Sequence, residues 1–261
     1  MRKMAKHMAV IMAGVAIGVG GTHAAEKEKK NARSKVTAAA ASNPNKEAPA
    51  KDSADPVVYI DKKHAPNVGK GWQPLFNGKD LEGWKPVAMN QKLTWKAVDG
   101  VLATSFKEPE HGCNIRSTKE FTDFEFYCEF KVPKNGNSGV FVRGLFEVQV
   151  RGDYGMKLDD PAIDWGTGAF YGQKRPAKNA SRPADEWQSM YIKVVGDKAT
   201  VFVNSEQVQR DFVLAKPTHR YDEMKDVKES GPGPIILQGD HKPVEYRHLM
   251  IRPLGRKKSD K

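Results

Sequence analysis

Residues 124–132 read FEFYCEFKV, with an apolar side chain at every second position. Successive side chains of a β-strand point to opposite faces, so this stretch predicts a strand with one apolar face and one largely polar face. No long part of the chain has the 3.6-residue periodicity of an amphipathic helix, whereas period-two alternation recurs. The sequence therefore predicts a β protein.

Two pairs of β-rich runs flank turn signals. Gly196 and Asp197 separate residues 191–195 from 199–204, and Asp99 and Gly100 interrupt residues 95–102. Other predicted strands cover residues 115–117, 138–143, 145–151, 234–238 and 244–251, with one more at 57–60. About ten short strands fit an all-β, two-sheet antiparallel β-sandwich. Residues 152–172 and 173–185 are expected to form long loops, which are often functional.

Cys113 and Cys128 flank a predicted hairpin with its midpoint between Glu120 and Phe121. A simple antiparallel register would place the two cysteines opposite each other. Two buried thiols and a cross-strand disulfide both fit, because the sequence does not supply the geometry that a disulfide requires.

The ends of the chain differ in composition from its middle. Residues 1–25 combine a basic start, an apolar run and small residues, which predicts a cleavable signal peptide. Residues 26–55 are rich in Ala, Lys, Ser and Pro and predict a disordered spacer. A single β-sandwich domain is expected at residues 56–255, with a basic tail at 256–261. We therefore expect a secreted or periplasmic protein without membrane insertion after signal cleavage.

The formal net charge of +11 is concentrated in these ends. Residues 1–55 hold 10 Lys and Arg against 5 Asp and Glu, and residues 256–261 hold 4 against 1. Only +3 remains for the residues between them. A domain that binds phosphates would cluster basic residues on a folded face, so we expect no nucleic acid partner.

Several segments together resemble the 3-keto-disaccharide hydrolase family, also described as 3-keto-glucoside 1,2-lyase/hydratase domains. The matching segments are GWQPLFNGKDLEGW (71–84), NSGVFVRG (137–144), FEVQV (146–150), GAFYG (168–172), EWQS (186–189), IILQGDH (235–241) and VEYRHLMIRPL (244–254). The resemblance implies a concanavalin A-like jelly roll and a carbohydrate ligand, namely a 3-keto-glycoside. A ketone at C3 acidifies the C2 proton, so such an enzyme needs a base, an enolate stabiliser and an acid for the leaving group.

Three residues are candidates for catalysis. Glu147 alternates with core residues and could be the base or support a metal ion; the alternative is a solvated carboxylate on a polar face. His241 lies in the loop between the closing strands and could donate to the C3 oxygen or bind a divalent cation, the one cofactor the chemistry could use. Arg143 could steady the enolate, or form a structural salt bridge.

Five residues are candidates for substrate binding, which are Gln149, Tyr171, Trp187, Gln238 and Asp153. Gln149 shares a strand face with Glu147, and the two aromatic rings suit stacking on a pyranose, although Trp187 could instead be core. The aspartates between positions 153 and 164 could supply oxygen ligands for Ca²⁺, but turn formation explains them better.

Gly152, Gln188 and His248 depart from the family pattern. These departures motivate a second hypothesis, a lectin-like module that binds carbohydrate without chemistry. A third is a surface-interaction protein whose basic ends adhere to anionic polymers.

Overall fold

The computed structural model describes residues 58–106 and 110–255, which contain thirteen β-strands and two short 3₁₀-helices. The predicted signal peptide, the spacer, and the tail at 256–261 lie outside the described residues. The strands are β1 (Gln73–Pro74), β2 (Trp84–Pro86), β3 (Trp95–Val98), β4 (Val101–Thr104), β5 (Ile115–Phe121), β6 (Phe124–Lys131), β7 (Asn137–Val142), β8 (Phe146–Arg151), β9 (Gln188–Val195), β10 (Lys198–Val203), β11 (Glu206–Val213), β12 (Gly233–Leu237) and β13 (Glu245–Pro253). The 3₁₀-helices span Pro161–Trp165 and Asp222–Met224.

The strands form two antiparallel sheets. The larger has the order β11-β10-β9-β6-β13-β4-β3, with β1 also paired to β13, and the smaller has the order β2-β5-β12-β7-β8. Apolar side chains of both sheets form one continuous core, to which β6 contributes Phe124, Phe126 and Phe130 and β8 contributes Phe146 and Val148. The predicted all-β fold, a two-sheet antiparallel sandwich of the concanavalin A-like jelly-roll type, is confirmed.

The hairpin predicted around the two cysteines is wrong. Strand β5 pairs with β2 and β12 in the smaller sheet, while β6 pairs with β9 and β13 in the larger. Consecutive strands therefore belong to different sheets, and Thr122 and Asp123 carry the chain between them. Both cysteines are buried and form no disulfide, so the buried-thiol alternative holds. The Cys113 sulfur accepts a hydrogen bond from Thr94 Oγ1. Burial also raises the pKa of the Cys128 thiol.

The second face of β6 is polar in sequence but buried in the fold. Residues 58–72 lie across this face of the larger sheet, where the Ile60 amide donates to Glu129 Oε1 (2.8 Å) and Trp72 packs with Tyr127. Glu129 also receives a hydrogen bond from Arg247 (2.7 Å), so the buried carboxylate is paired. The strand predicted at 57–60 is wrong for residues 58–60, which form no ladder, and Val57 lies outside the described residues.

The two predicted turn signals form turns as expected. Asp99 and Gly100 have φ values of 50° and 77° between β3 and β4, and Gly196 has a φ of 60° between β9 and β10. These left-handed conformations favour Gly, Asn and Asp, which explains why the sequence signal was reliable. No helix in the described ranges is long and apolar enough to cross a membrane.

Two connections shape the outer face of the smaller sheet. Residues 152–187 form the expected long loops, whose one helix is Pro161–Trp165. They follow the outer edge of β8, where the Gly168 amide donates to the Gln149 carbonyl. Residues 214–232 connect β11 to β12 and touch the other end of β8, where the Thr218 amide donates to the Leu145 carbonyl. Together they leave a depression over β7 and β8.

Candidate active site

Glu147 and Gln149 form a polar row on the outer face of β8, because they alternate with core residues. The β7–β8 register places Phe141 opposite Glu147 and Gly139 opposite Gln149. The Glu147 side chain leans over Gly139, where a Cβ atom would lie only 2.2 Å from the carboxylate oxygen Oε1. The absence of a side chain at position 139 therefore makes room for the Glu147 carboxylate.

This row forms part of a cavity of about 280 Å³ over the smaller sheet. Strands β7 and β8 supply its floor, and three loops supply its walls. Its lining consists of Asn137, Phe141, Glu147, Gln149, Tyr171, Thr218, His219, Tyr221, Gln238, Asp240 and His241. The size and the polar lining suit a single sugar ring better than an extended apolar ligand.

The Glu147 carboxyl group is the strongly perturbed acid in this cavity. Glu147 is 4% exposed. Burial, and to a lesser extent the negative charge of Asp240, raises the pKa of Glu147 from 4.5 to about 8. A carboxylate destabilised in this way is a far stronger base than one in water, so the position suits proton abstraction.

Asp240 and His241 form a hydrogen-bonded pair at the mouth of the cavity. The His241 Nδ1 atom lies 2.5 Å from Asp240 Oδ1, and the other Asp240 oxygen accepts from Asn114 Nδ2 (3.1 Å). The carboxylate fixes the orientation of the imidazole, which leaves Nε2 as the nitrogen able to exchange a proton with a bound molecule. The His241 side chain is 53% exposed, so it can meet the part of a substrate that leaves the cavity.

Two glutamine side chains present acceptor oxygens that have no partner among the described residues. Gln149 donates through Nε2 to Asn137 Oδ1 (2.6 Å), while its own Oε1 is buried and unpaired. Gln238 Oε1 is likewise buried and unpaired. Buried acceptors are nearly always satisfied in folded proteins, so a ligand with hydroxyl donors would complete both.

Tyr171 stands at the rim of the same cavity. Its main-chain amide donates to the Glu147 carbonyl (3.2 Å), which docks the loop against β8. The residue is 42% exposed, so its ring is accessible to a ligand. The structure thus brings together Glu147, Gln149, Tyr171, Gln238 and His241 of the predicted site residues.

Arg143 requires a correction, because the structure does not place it in the cavity. Its side chain is fully buried, and its backbone has a φ of 53°. The guanidinium donates to the carbonyl oxygens of Thr122 (2.9 Å), Glu229 (2.9 Å) and Gly196 (2.6 Å) and to the carboxylate of Asp123 (3.3 Å). Arg143 therefore ties the crossover between the sheets to the β9–β10 turn, which agrees with the structural alternative.

Trp187 and Asp153 also lie outside the cavity lining. The face of Trp187 is covered by cations, with the Arg247 guanidinium carbon at 4.2 Å from the ring centroid. Asp153 is buried and accepts hydrogen bonds from the Thr167 amide (2.7 Å) and from Ser181 Oγ (2.6 Å). It organises the long loop, and no oxygen of its carboxylate is left for a sugar.

Tyr221 and Asp240, which line the same cavity, and Asn114, which donates hydrogen bonds to both, were not predicted as site residues. Asp240 lies within the 235–241 segment that carried the resemblance, so it could have been found there. Tyr221 follows β11 in an irregular connection, and Asn114 precedes β5. Neither position carries a motif, and only the folded chain brings them together.

Glu147 and His241 are the predicted candidates for holding a divalent metal ion. Among the residues that the structure describes, no three His, Cys, Asp or Glu side chains are arranged to hold an ion. Glu147 and Asp240 approach each other, but Asp240 is already bonded to His241 and Asn114. The donor set does not fit a metal site as it stands, and no chemical step is assigned to one.

Comparisons with known proteins identify the family of the chain. Residues 71–252 match the model of the 3-keto-α-glucoside-1,2-lyase-like domain. Three crystal structures of proposed glycosyl hydrolases from Parabacteroides distasonis are similar. One is 31% identical with a TM-score of 0.56, covering 71% of this chain and 84% of the other. A second is 20% identical with a TM-score of 0.57, covering 71% and 95%, and a third is 26% identical with a TM-score of 0.53, covering 70% and 99%.

No curated protein matches the chain. The family match covers most of the described residues and includes β8 and the loop of Asp240 and His241. It confirms the resemblance found in the sequence segments. The chain therefore belongs to the family of 3-keto-α-glucoside-1,2-lyase-like domains.

Proposed function

We propose that this protein is an exported enzyme that cleaves 3-keto-glycosides by removing the C2 proton, eliminating the C1 substituent and adding water. The observation that carries the proposal is the buried Glu147 carboxyl, with a pKa of about 8, on the floor of a cavity the size of a sugar ring. Family membership supports the substrate class.

In the first step the Glu147 carboxylate takes the proton from C2. The electron pair of the C2–H bond forms a C2=C3 double bond, and the carbonyl pair moves to the C3 oxygen to give an enolate. The C2–H group next to the ketone is a weak acid, so a base whose pKa is raised toward that of this group lowers the barrier to proton transfer.

In the second step the C3 carbonyl re-forms and the C2=C3 pair becomes a C1=C2 double bond. The bond from C1 to the glycosidic oxygen breaks, and that oxygen leaves with the pair and takes a proton from protonated His241. Water then adds to C1 while neutral His241 accepts its proton, and Glu147 returns its proton to C2. The net reaction is hydrolysis, and both residues regain their starting states.

Binding in this proposal uses the groups that have no partner. Gln149 and Gln238 offer acceptor oxygens, which suit the hydroxyl groups that the oxidised sugar retains. Tyr171 offers an accessible ring at the rim, which suits the apolar face of a pyranose. The C3 ketone is itself an acceptor, so it must face away from the two glutamine oxygens.

The three departures from the family pattern favoured a lectin-like module, but none of them lines the cavity. Gly152 meets a packing demand, because a Cβ there would lie 2.1 Å from the Pro133 carbonyl. Gln188 accepts from the Arg182 amide (2.9 Å), and His248 lies beside Glu129. Binding without chemistry therefore becomes an outcome of the test rather than a second proposal.

The test is to incubate the purified chain with a 3-keto-glucoside and follow the released aglycone. It is run with EDTA and with added divalent ions. Glu147→Gln should abolish release, while Glu120→Gln, at an exposed carboxylate of β5, should leave it unchanged. No release above buffer under any condition would overturn the proposal, and saturable sugar binding without release would support the lectin-like module instead.

Export is tested separately. The N-terminal sequence of the protein recovered outside the cytoplasm should begin within a residue or two of Ala25. Recovery of the intact chain in the cytoplasm alone would overturn this part of the proposal.

A further inference from the structure

Asn114 links the two sides of the cavity mouth. The residue is 5% exposed and lies immediately before β5. Its side-chain amide makes three hydrogen bonds, with Oδ1 accepting from the Gly239 amide (2.8 Å) and Nδ2 donating to Tyr221 Oη (3.0 Å) and Asp240 Oδ2 (3.1 Å). Both hydrogens of the Asn114 Nδ2 group are therefore donated, and its Oδ1 accepts one hydrogen bond.

These contacts decide which way the amide points. The Gly239 main-chain amide can only donate, so the oxygen of Asn114 must face it and the nitrogen must face Tyr221 and Asp240. The Tyr221 oxygen is therefore an acceptor toward Asn114. Its own hydrogen is directed to some other acceptor.

The surroundings of Tyr221 leave the cavity as the place for that hydrogen. The ring packs edge-on against Phe141 (centroids 5.8 Å apart) and His219 (4.3 Å), and the residue lines the cavity. Burial, followed by the charges of Asp240 and Glu147, raises the pKa of Tyr221, so the phenol stays protonated and able to donate. Tyr221 thus supplies the cavity with a neutral hydrogen-bond donor.

We propose that Tyr221 donates a hydrogen bond to the C3 oxygen as the enolate forms, and that Asn114 is the positioning residue that turns the phenol hydrogen toward it. This inference rests on the proposed function. When Glu147 takes the C2 proton, the negative charge that develops on the C3 oxygen meets the Tyr221 hydroxyl, and no proton needs to be transferred from it. The ketone faces Tyr221 because the glutamine oxygens repel it.

The experiment separates enolate formation from departure of the leaving group. The first probe is 1,5-anhydro-3-ketoglucitol, which has no exocyclic substituent at C1 to lose, so exchange of its C2 proton for deuterium in D₂O, followed by NMR, reports enolate formation without departure of an aglycone. The second probe is a 3-keto-glucoside, for which kcat and KM of aglycone release are measured. The variants are Tyr221→Phe, Asn114→Asp and the double variant.

Tyr221→Phe keeps the ring packing and removes the donor. We expect C2 exchange and kcat to fall by about 10²- to 10³-fold, as for loss of one oxyanion donor, with KM changed by less than about 3-fold. Asn114→Asp keeps the acceptor for Gly239 but replaces the Nδ2 donor with an oxygen. The Tyr221 hydrogen then points to position 114, so we expect a similar fall in exchange.

In the double variant the change at position 114 should cost little more than Tyr221→Phe alone, because no phenol is left to turn. The matched control is Asn204→Asp, which loses donors to Ala180 and Gln188 outside the cavity and should exchange at the wild-type rate. A purely structural role for Asn114 predicts equal losses with and without the Tyr221 hydroxyl.

Each outcome decides the question. Tyr221→Phe with wild-type exchange overturns the inference, and so does an equal cost of Asn114→Asp in both backgrounds. If Asn114→Asp fails to fold, Tyr221→Phe alone decides the role of the phenol. If the wild-type chain neither exchanges the C2 proton nor releases aglycone, the proposed function fails and this inference fails with it.

Discussion

Replacing Glu147 by Gln should remove a pH-dependent cost that the buried carboxyl group imposes on folding. In the folded protein its pKa is about 8, against 4.5 for the unperturbed group. Between these two values the folded state holds the proton while the unfolded chain releases it, so the unfolding free energy falls as the pH rises. The slope is about 1.4 kcal/mol per pH unit, and the whole loss, complete above pH 8, is roughly 5 kcal/mol.

A Gln side chain has no proton to release, so the variant lacks this contribution. Urea unfolding of both proteins, followed by tryptophan fluorescence, should show the stability of wild type falling relative to Glu147→Gln by roughly 3 kcal/mol between pH 5.5 and 7.5. All other titrating groups are shared and cancel in the difference. The rate at which wild type exchanges the C2 proton of 1,5-anhydro-3-ketoglucitol should rise over the same range and level off above pH 8, because this step needs the ionised Glu147 carboxylate and no leaving-group acid.

Two parallel stability curves would show that the Glu147 pKa is not raised and would refute the argument for a strong base. The matched control is Glu120→Gln, whose exposed carboxylate should leave the pH dependence of stability unchanged. A wild-type rate that is level from pH 6 to 9 would refute the same argument by kinetics.

Gly139→Ala should lower kcat/KM by about 10²-fold in the aglycone assay, because the new Cβ displaces the Glu147 carboxylate, and an unchanged rate would contradict this. Arg143→Met should lower the unfolding free energy by about 3–5 kcal/mol, because it leaves the buried acceptors of that side chain unpaired. Urea unfolding measures the loss, and a value well below this range would contradict the prediction. Tyr171→Ala should raise KM about 10-fold through lost stacking, whereas Trp187→Ala should leave KM unchanged. A raised KM for Trp187→Ala with an unchanged KM for Tyr171→Ala would show instead that the sugar stacks on Trp187.

The sequence was sufficient where local chemistry and burial agree. Asp99-Gly100 and Gly196-Asp197 form the predicted turns because few residues adopt the left-handed backbone found there. The alternation on β8 correctly separated Glu147 from the core, since side chains of a strand face opposite ways.

Prediction from the sequence failed where the structure depended on which sheet a strand joins. Residues on either side of the Glu120–Phe121 midpoint look like a hairpin locally, yet β5 and β6 pair with strands far away in sequence. Arg143 lies next to the site segments in sequence, but its side chain reaches a cluster of carbonyl oxygens at the sheet crossover. Long-range pairing outweighed local pattern in both cases.

The amino-acid sequence by itself determined the β-sandwich class, the turns, the family and the polar row of Glu147 and Gln149, because these follow from side-chain periodicity and short segments. Only the tertiary structure decided that Asn114, Tyr221 and Asp240 meet over that row, since they come from the start of β5, an irregular connection and the loop after β12. Only folding buries Glu147 and brings Asp240 near it, and that burial raises its pKa. Proton affinity is set by desolvation and neighbouring charge, which a sequence pattern does not contain.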